Sequence, residues 1–529
     1  MELVGIDFGT CNIKVVRRAG ESYKNFRIDN TSNDLKKGTA NKVFYRDNEL
    51  LLGDKATKGR NRCKTVEEQN NYIENIKEHL QEKNWKQTLA DGQIKSAGDV
   101  TGDIMQYIYH RFSEELQESI DAVITVPVIF SEYQINIIRK AAEDAGFHVK
   151  KIISEPFASF VYLMQDCIEA MEERFHHVLM FDIGGGTLDI CLISCGVKAG
   201  QYEVSVQSAI GVDRGGNEIN DEILNDILFN KNKEMFHAVL YQDEKDAHKA
   251  FRNRVNRYSV MEEIEDLKNE MFHDEIKKQS KTIEFSFEKP DYDEDIEVTA
   301  KDIYHMLDQN HWKDMIFNML EELFWESDDI AAEDLTDVFL AGGTSAIPYF
   351  RECIIEFLEE QGVEKENCGK LFQRNDEAEA DDRRFSSVAY GAAWFNQFLH
   401  GDLPMRIQDE IPFKIYTKKG KDPYATLEKN SGVDNYSFPK KLLLNEKDHG
   451  KIDVYQEINT VIPDGSENNK EVYVGYFNIP KDIEKGKEEL YRFRFNHKNV
   501  LEIQYFHREL ENDEMTPVID STEELVYGV

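Results

Sequence analysis

Two copies of one short pattern constrain the fold of this chain more than any other feature of its sequence. The segments VGIDFGTCNIKVV (residues 4–16) and LMFDIGGGTLDICLI (residues 179–193) share the order apolar strand, aspartate, glycine, threonine and apolar strand. A single copy is best explained as a β-hairpin with a glycine turn. Two copies indicate an internal duplication, so we expect two related halves of the fold.

The side chains of these hairpins fit a phosphate bound together with a metal ion. Glycines expose backbone N–H groups that can converge on phosphate oxygens, and threonine hydroxyls can add to them. Mg²⁺ prefers oxygen ligands, which carboxylates supply directly or through water. The residues concerned are Gly9, Thr10, Gly184, Gly185, Gly186 and Thr187 for the phosphates, and Asp7, Asp182 and Asp189 for the metal.

A third glycine site lies in DVFLAGGTSAIPYF, where a strand runs into Gly342, Gly343 and Thr344. A plain strand-to-helix turn explains this pair of glycines equally well. The sequence contains no GxxxxGK[ST] segment, which excludes a Walker-type loop. Three glycine sites in one chain fit phosphates held between two lobes.

Charge and composition narrow the range of partners. With 64 Lys and Arg against 101 Asp and Glu, the net charge of −37 repels phosphate backbones, so neither nucleic acid nor an anionic membrane is an expected partner. The seven cysteines include no CxxC pair, which suits a reducing compartment. No apolar run reaches membrane-spanning length, and MELVGIDFGT has no basic region typical of a signal peptide. We therefore expect a cytoplasmic location.

The pattern of elements changes along the chain. Up to about residue 400, short apolar runs alternate with helical patterns, which predicts α/β layers. One predicted helix, SEYQINIIRKAAEDAGF, has Ser131 as its N-cap and Gly146 at its end. Another, RVNRYSVMEEIEDLKNEMF, should pack one face inward, formed by Val255, Tyr258, Met261, Ile264, Leu267 and Met271.

Two later segments have other patterns. The charged run NDEAEADDRR at 375–384 predicts a solvated loop. Period-two alternation then begins, and ELYRFRFNHKNVLEIQYF predicts a hairpin that turns at NHKN. We expect Tyr491, Phe493 and Phe495 to share one face of it. Roughly the last 120 residues thus form a separate all-β unit.

Longer segments resemble a known family. GIDFGTCNIKVV, FDIGGGTLDICLI and VFLAGGTSAIPYFRECI are similar to the two phosphate segments and the adenosine segment of the actin, sugar-kinase and heat-shock ATPase superfamily. AVITVPVIFSEYQINIIRKAAEDAGFHVKKIISEPFASFVY and SSVAYGAAWF resemble the DnaK-type seventy-kilodalton heat-shock chaperones more specifically. The likeness is strong to about residue 400 and weaker to about residue 510, where KIDVYQE and FNIPKDIEKGKEELYRFRFNHKNVLEIQYF resemble the family's peptide-binding β-sandwich.

The resemblance implies roles for further residues. Lys77 in YIENIKEHL corresponds to the lysine that orients the γ-phosphate and the attacking water, and Glu155 to a glutamate near the metal. Without the resemblance, Lys77 reads as a solvated lysine and Glu155 as part of a helix cap. Pro127 corresponds to a proline between the ATPase site and the peptide domain. Catalytic roles would fall to Lys77, Glu155, Asp182 and Thr187, and nucleotide contacts to the glycine segments with Cys11, Asn12, Glu265 and Lys268.

The chain departs from the family at several positions. Asn269 and Ala346 stand where two arginines stack on adenine, and each lost contact costs about 0.5–2 kcal/mol of nucleotide affinity. Glu265 and Lys268 taken alone form an ordinary i,i+3 ion pair. The segment GDLPMRIQDEIPF lacks the family's leucine-rich linker, and HRELENDEMTPVIDSTEELVYGV is too short for its helical lid.

We therefore predict an α/β fold: an actin-like two-lobed ATPase domain with a duplicated ribonuclease-H-like core (residues 1–400), a linker (401–410), a small β-sandwich (411–510) and a short tail (511–529). The resemblance implies an ATP-hydrolysing chaperone with ATP or ADP, Mg²⁺ and K⁺ as a further ion. Its implied partners are unfolded peptide or a dedicated client, a J-domain co-chaperone and a nucleotide exchange factor.

Two other functions stay open. One is a nucleotide-gated interaction protein with little ATPase activity that binds a dedicated partner or another chaperone. The other is a sugar kinase or filament-forming actin relative, which leaves ISEPFASF and the β unit unexplained.

Overall fold

In the computed structural model, each of the two Asp-Gly-Thr motifs forms the central hairpin of a sheet. The structure describes residues 2–20, 22–28, 38–46, 49–115, 119–273, 278–288, 290–327, 330–380, 386–401, 405–408, 414–428, 435–442, 450–461, 467–480, 490–496, 500–511 and 514–527.

The first lobe comprises residues 2–171 of this described part. Its strands are β1 (Glu2–Phe8), β2 (Asn12–Ala19), β3 (Ser22–Asn25), β4 (Thr39–Ala40), β5 (Lys42–Arg46), β6 (Glu49–Leu52), β7 (Tyr72–Glu74), β8 (Lys86–Thr88), β9 (Ile94–Ser96), β10 (Ile120–Val126) and β11 (His148–Ser154). Its helices are α1 (Asp54–Arg60), α2 (Val66–Gln69), α3 (Ala97–Glu115), α4 (Glu132–Ala145), α5 (Glu155–Leu163) and α6 (Gln165–Glu169).

The second lobe comprises residues 176–380. Its strands are β12 (His176–Ile183), β13 (Leu188–Lys198), β14 (Gln201–Val212), β15 (Ser280–Glu288), β16 (Asp291–Thr299) and β17 (Asp337–Ala341). Its helices are α7 (Gly216–Glu222), α8 (Phe229–Lys231), α9 (Lys233–Leu240), α10 (Ala247–Lys268), α11 (Ala300–Gln309), α12 (Trp312–Glu326), α13 (Pro348–Glu360), α14 (Lys365–Leu371) and α15 (Gln373–Ala380).

The remaining elements are one helix and ten strands of the described residues. They are α16 (Ser387–Leu399), β18 (Met405–Gln408), β19 (Lys414–Lys419), β20 (Asp422–Leu427), β21 (Lys440–Lys441), β22 (Lys451–Val461), β23 (Glu467–Asn478), β24 (Leu490–Phe495), β25 (Leu501–Glu511), β26 (Glu514–Glu524) and β27 (Val526–Tyr527). Residues 414–527 are called the β unit below.

The two central sheets repeat one arrangement, as the duplication predicts. Their strand orders are β11-β10-β1-β2-β3 and β17-β12-β13-β14-β18. In each, the motif's first strand pairs antiparallel with the next strand and parallel with a later one: β1 with β2 and β10, and β12 with β13 and β17. The motif aspartates Asp7 and Asp182 therefore lie near the carboxyl ends of equivalent strands in the two sheets.

Helix α16 packs on the first lobe by a close approach of backbones. It packs against β1 and α5. A Cβ on Gly391 would collide with the carbonyl oxygen of Ala158, and one on Gly5 would collide with the backbone of Ala393. Only glycine fits at these two crossings, because any larger residue would push α16 away from the first lobe.

The predicted helix at 131–146 is confirmed. Ser131 forms a capping box with Gln134, and Gly146 ends α4 in the left-handed region at φ 114°. The predicted inward face of α10 is only partly correct. Ile264, Leu267 and Met271 are fully buried, whereas Val255 is 42% exposed, because the amino-terminal part of α10 extends beyond the second-lobe core.

The charged run at 375–384 is not a loop over its described part. Helix α15 continues to Ala380, and the side-chain oxygen of Asn375 accepts a hydrogen bond of 2.8 Å from the Leu340 amide on β17. Asn375 thus satisfies a buried strand amide, a tertiary contact that charge density does not reveal. Residues 381–384 lie outside the described residues.

In the β unit, two sheets share one apolar core. Their strand orders are β20-β19-β22-β23-β27 and β21-β24-β25-β26. Tyr491, Phe493 and Phe495 all point into this core, as predicted, beside Ile452 and Phe477 of the other sheet. The predicted hairpin forms between β24 and β25, with most of its NHKN turn (497–499) outside the described residues.

Two terminal segments differ from the expectation. β26 and β27 lie in the region predicted to be a tail, but they pair with β25 and β23 and so extend both sheets. Part of the predicted linker, Met405–Gln408, pairs in parallel with Tyr202–Ser205 of the second lobe. The other linker residues, 402–404 and 409–410, lie outside the described residues.

Candidate active site

Four carboxylates converge where the two lobes face each other. Asp7 ends β1, while Asp182 and Asp189 are directly opposite each other in the β12–β13 hairpin. Glu155 begins α5, directly after β11. All four interact electrostatically with Lys77, which is almost fully buried.

Lys77 and Glu155 form a buried ion pair. The Lys77 Nζ atom donates to Glu155 Oε1, and the ring centroid of Phe130 lies 5.5 Å from the same nitrogen. A solvated lysine, the alternative for the isolated sequence, does not describe this side chain. Tertiary structure thus brings Lys77 and Glu155 to the three aspartates.

Burial raises the pKa of each aspartate in this group. Desolvation brings the pKa of Asp7 to about 6, with Lys14 opposing it, and that of Asp189 to about 8. The pKa of Asp182 lies well above its usual range through desolvation and the nearby charges of Glu155, Asp189 and Asp7. A nearby divalent cation would reverse these shifts by favouring the ionised carboxylates.

The donors in this group fit Mg²⁺. Asp182 Oδ2 is buried and has no hydrogen-bond partner in the described structure. Four ionised carboxylates with Lys77 and Lys14 would leave a net charge of −2, which one divalent cation balances. Asp189 is already oriented, because its Oδ1 accepts a 2.9 Å hydrogen bond from the Val128 amide, next to Pro127.

The two predicted phosphate loops face each other at close range. A Cβ added to Gly186 would lie 2.8 Å from Thr10 Oγ1, and one added to Gly185 would collide with Cys11 Sγ. The bare backbone of the second loop therefore lies against the first loop's hydroxyl and thiol. Thr187 lies on the same cavity, together with Thr10, while Gly9 and Asn12 complete the first turn.

The third glycine site joins the second loop. Gly342 adopts φ 75°, and a Cβ there would lie 2.7 Å from Asp182 Oδ1. Thr344 Oγ1 donates a 2.9 Å hydrogen bond to the Gly184 carbonyl, while Gly343 precedes the turn Thr344–Ala346. The three glycine segments are therefore adjacent in the structure. Their spacing in the sequence does not reveal this.

Glu265 and Lys268 lie at the end of α10 beside this junction. Lys268 is buried, 3.0 Å from Glu265 Oε2, and its Nζ donates to the Gly216 carbonyl at 3.4 Å. The expected i,i+3 ion pair therefore forms, with its lysine buried and its glutamate side chain 53% exposed. Asn269 follows directly, and Ala346 is buried in the second-lobe core.

Several residues that the sequence reasoning missed complete the site. Asn41 donates to the Gly9 carbonyl at 2.9 Å, and its backbone amide donates to Cys11. Asn217 bridges the lobes: its Nδ2 donates to Glu78 at 2.7 Å, and its Oδ1 accepts from Cys11 Sγ at 3.3 Å. No motif marks these residues. Lys14 did carry a signal, as a lysine between the apolar residues Ile13 and Val15.

The cleft between the lobes contains a cavity of about 250 Å³ beside Lys77 and the glycine loops. Its outer wall carries four further carboxylates, from Glu78, Asp213, Glu218 and Asp221. A bare polyanion would be repelled by this wall, whereas the backbone N–H groups and Lys77 favour phosphate deeper inside. A phosphate ligand accompanied by its own cation suits both features.

A second contact between the lobes, which we call the latch, is formed by Arg60, Glu262, Tyr258 and Tyr72. Arg60 on α1 pairs with Glu262 on α10 at 2.8 Å. Its guanidinium carbon also lies 4.4 Å from the ring centroid of Tyr258 and 5.2 Å from that of Tyr72. The two rings meet edge to face at 5.5 Å. The latch therefore joins the lobes outside the phosphate loops.

The chain matches a known protein family and known proteins over part of its length. A family model described as Hsp70 protein matches residues 3–467. The chain is 31% identical to the chaperone protein DnaK of Halobacterium salinarum over 193 residues, which are 36% of this chain and 28% of that protein. It is 32% identical to heat shock 70 kDa protein 14 of Danio rerio over 228 residues. That match covers 39% of this chain and 43% of that protein. The matches thus span less than half the length of either relative.

None of the helices in the described parts of the chain is long and apolar enough to cross a membrane.

Proposed function

Because the chain belongs to the Hsp70 protein family, we propose that it is an Hsp70-type chaperone that hydrolyses ATP, with Mg²⁺, in the cleft between its lobes. The observation that carries this proposal is the convergence of three strand-end aspartates with the Lys77–Glu155 pair beside the glycine loops. The family's actin-like ATPase fold accounts for the repeated sheet arrangement.

In the proposed reaction, water attacks the γ-phosphate of ATP, and catalysis comes from positioning and charge stabilisation. Lys77 orients the γ-phosphate and the water, and Glu155 holds Lys77 in place. Amides of the glycine loops and the hydroxyls of Thr10 and Thr187 bind phosphate oxygens. Asp7, Asp182 and Asp189 would hold Mg²⁺, directly or through water, and the bound ion would offset the phosphate charge.

The nucleoside would lie beside α10 and the third glycine site. Glu265 and Lys268 would contact the ribose and adenine, with Gly342, Gly343 and Thr344 on the other side. Asn269 and Ala346 provide no guanidinium for stacking, so we propose a weaker hold on adenine than in relatives with two arginines. The K⁺ and the cytoplasmic location expected from the sequence stay predictions.

The β unit would supply the chaperone's second function. We propose that its two sheets form a β-sandwich that binds unfolded peptide or a dedicated client. Lobe closure around ATP would bias this unit through its contacts with both lobes. A J-domain co-chaperone and a nucleotide exchange factor are the further partners proposed.

Lys77→Ala tests the proposed chemistry. We expect turnover to fall about a hundredfold while ATP binding changes little, since one positioned group is lost from the transition state. Lys86→Ala, at an exposed position on β8, is the matched control and should retain turnover. If Lys77→Ala hydrolyses ATP at the wild-type rate while folded, the proposed mechanism is wrong.

A second candidate is a nucleotide-gated interaction protein with little turnover, favoured by the altered positions Asn269 and Ala346. Binding of an unfolded fluorescent peptide should be measured with ATP, with ADP and without nucleotide. A chaperone must show different peptide affinities between nucleotide states. ATP binding without turnover, together with peptide affinity that no nucleotide changes, would favour the second candidate.

A further inference from the structure

A group of potential metal ligands lies away from the cleft, at the amino end of β12. Cys167 lies on α6, Glu172 in the following turn, and His176 is the first residue of β12. One ligand atom from each lies within 4.8 Å of the other two. Asp182 is six residues further along the same strand, about 20 Å away at the usual rise per residue.

One ring nitrogen of His176 is buried without a hydrogen-bond partner. The side chain is 1% exposed, and Nε2 has no hydrogen-bond partner in the described structure. Nδ1 lies 3.1 Å from Asp337 Oδ2 and 3.4 Å from Thr336 Oγ1. An imidazole held by a carboxylate at Nδ1, with Nε2 directed at two other ligands, is the usual arrangement of a metal-binding histidine.

The spacing of the ligand atoms fits a tetrahedral ion. His176 Nε2 and Glu172 Oε2 are 3.7 Å apart. Two ligands of a tetrahedral zinc ion are about 3.4–3.6 Å apart, given zinc–nitrogen and zinc–oxygen bonds of about 2.1 Å and zinc–sulfur bonds of about 2.3 Å. The three ligand atoms lie within 4.8 Å of one another, so shifts of up to about 1 Å by the side chains would bring them to this spacing.

The surrounding charges also fit a divalent ion. Arg374 lies 3.2 Å from Asp337 and 3.9 Å from Glu172, and it interacts with Cys167. With Cys167 as a thiolate, the side chains of Cys167, Glu172 and Asp337 together carry a charge of −3. Arg374 carries +1. An ion of +2 brings the cluster to neutrality, which matters because a buried net charge is costly.

The metal-free alternative is an ion-pair network. The Cys167 thiol then donates a hydrogen bond to Glu172, which lowers the pKa of that carboxyl. Arg374 balances one of the two carboxylates, and His176 Nε2, 3.7 Å from Glu172 Oε2, makes no hydrogen bond in the described structure. The orphaned nitrogen favours the metal-bound form.

We propose that Cys167, Glu172 and His176 bind one Zn²⁺, with Asp337 orienting His176 and water completing the coordination. Thiolate and imidazole ligands favour zinc over the harder Mg²⁺ of the cleft. Binding transfers the thiol proton of Cys167 to solvent. The ion would fasten α6 and the turn after it to the start of β12, which carries Asp182 at its other end.

Metal content and Co²⁺ spectroscopy test the site in the full chain. Purified protein dialysed against metal-free buffer should retain about one zinc per chain by mass spectrometry. Replacement by Co²⁺ should give a thiolate-to-metal charge-transfer band. Cys167→Ser should abolish the band and weaken Zn²⁺ binding about a hundredfold or more. Cys353→Ser is the matched control, because Cys353 is buried to the same 3% exposure outside the cluster.

Glu172→Gln provides a second variant if Cys167→Ser fails to fold, since the Glu172 side chain is 36% exposed. It should keep the charge-transfer band and weaken Zn²⁺ binding about tenfold. The proposal is overturned if wild-type protein shows no thiolate band with Co²⁺, or if it binds Zn²⁺ no more tightly than Cys167→Ser. Either result would identify the cluster as a metal-free ion-pair network.

Discussion

The latch across the cleft should control how long a nucleotide stays bound. Arg60 belongs to the first lobe, and its partners Glu262 and Tyr258 belong to the second. Under the proposed function, nucleotide leaves when the lobes separate, and this separation requires the latch to break. Arg60→Ala removes both contacts at once.

The expected change in release rate follows from how exposed the latch residues are to solvent. The Arg60 side chain is only 5% exposed, but that of Glu262 is 48% exposed, so their 2.8 Å ion pair contributes about 1 kcal/mol after solvent screening. The contact with the Tyr258 ring adds about 1 kcal/mol. A total of about 2 kcal/mol corresponds to about thirtyfold faster release.

Stopped-flow release of a fluorescent ADP analogue measures this effect. Arg46→Ala is the control, because it removes an arginine–glutamate pair of 3.1 Å that lies wholly within the first lobe. We expect release from Arg60→Ala to be about thirtyfold faster and release from Arg46→Ala to match the wild type. Equal release rates for Arg60→Ala and wild type would refute the role of the latch.

Two further predictions concern stability. Gly391→Ala should lower the free energy of unfolding by about 2–4 kcal/mol in denaturant titrations, because its Cβ would collide with Ala158. In the control Gly369→Ala on α14, the added Cβ meets nothing within 4 Å, so the free energy of unfolding should rise by about 1 kcal/mol. Burial raises the pKa of Glu132 from 4.5 to about 7, so its folded form favours the proton. The contribution of Glu132 to stability is then fully present below pH 4.5 and is lost, by about 3 kcal/mol, as pH rises through 7. Glu132→Gln should reduce the pH dependence of stability by this amount in thermal melts at several pH values, leaving the part due to the other buried carboxyls.

The sequence predicts the parts of the site that local pattern controls. Asp7, Asp182 and Asp189 each belong to a strand–turn–strand segment whose register is local, so their approach to one edge follows from the duplication. Glu155 and Lys77 required a family resemblance, since nothing near either residue reveals that they pair across 78 positions. Periodicity carries no information on such contacts.

Other features arise only from packing between distant segments. Asn217 and Cys11 are 206 positions apart, and His176 and Asp337 are 161 apart. The strand at Met405–Gln408 forms because β14 offers an unpaired edge, which the sequence of the linker does not show. These contacts between distant segments form only in the folded protein, so the sequence alone does not predict them.

The β unit touches both lobes, so its position and the closure of the cleft cannot be independent. Gln456 Oε1 on β22 accepts a 3.0 Å hydrogen bond from the Glu132 amide of the first lobe, and β22 also lies against β14 and α12 of the second. Separating the lobes must break one of these contacts. Under the proposed function, linkage then requires that docking of the β unit strengthen nucleotide binding by the same factor by which bound nucleotide strengthens docking. Arg60→Ala should therefore also loosen the β unit, which faster hydrogen exchange at the Glu132 amide would reveal.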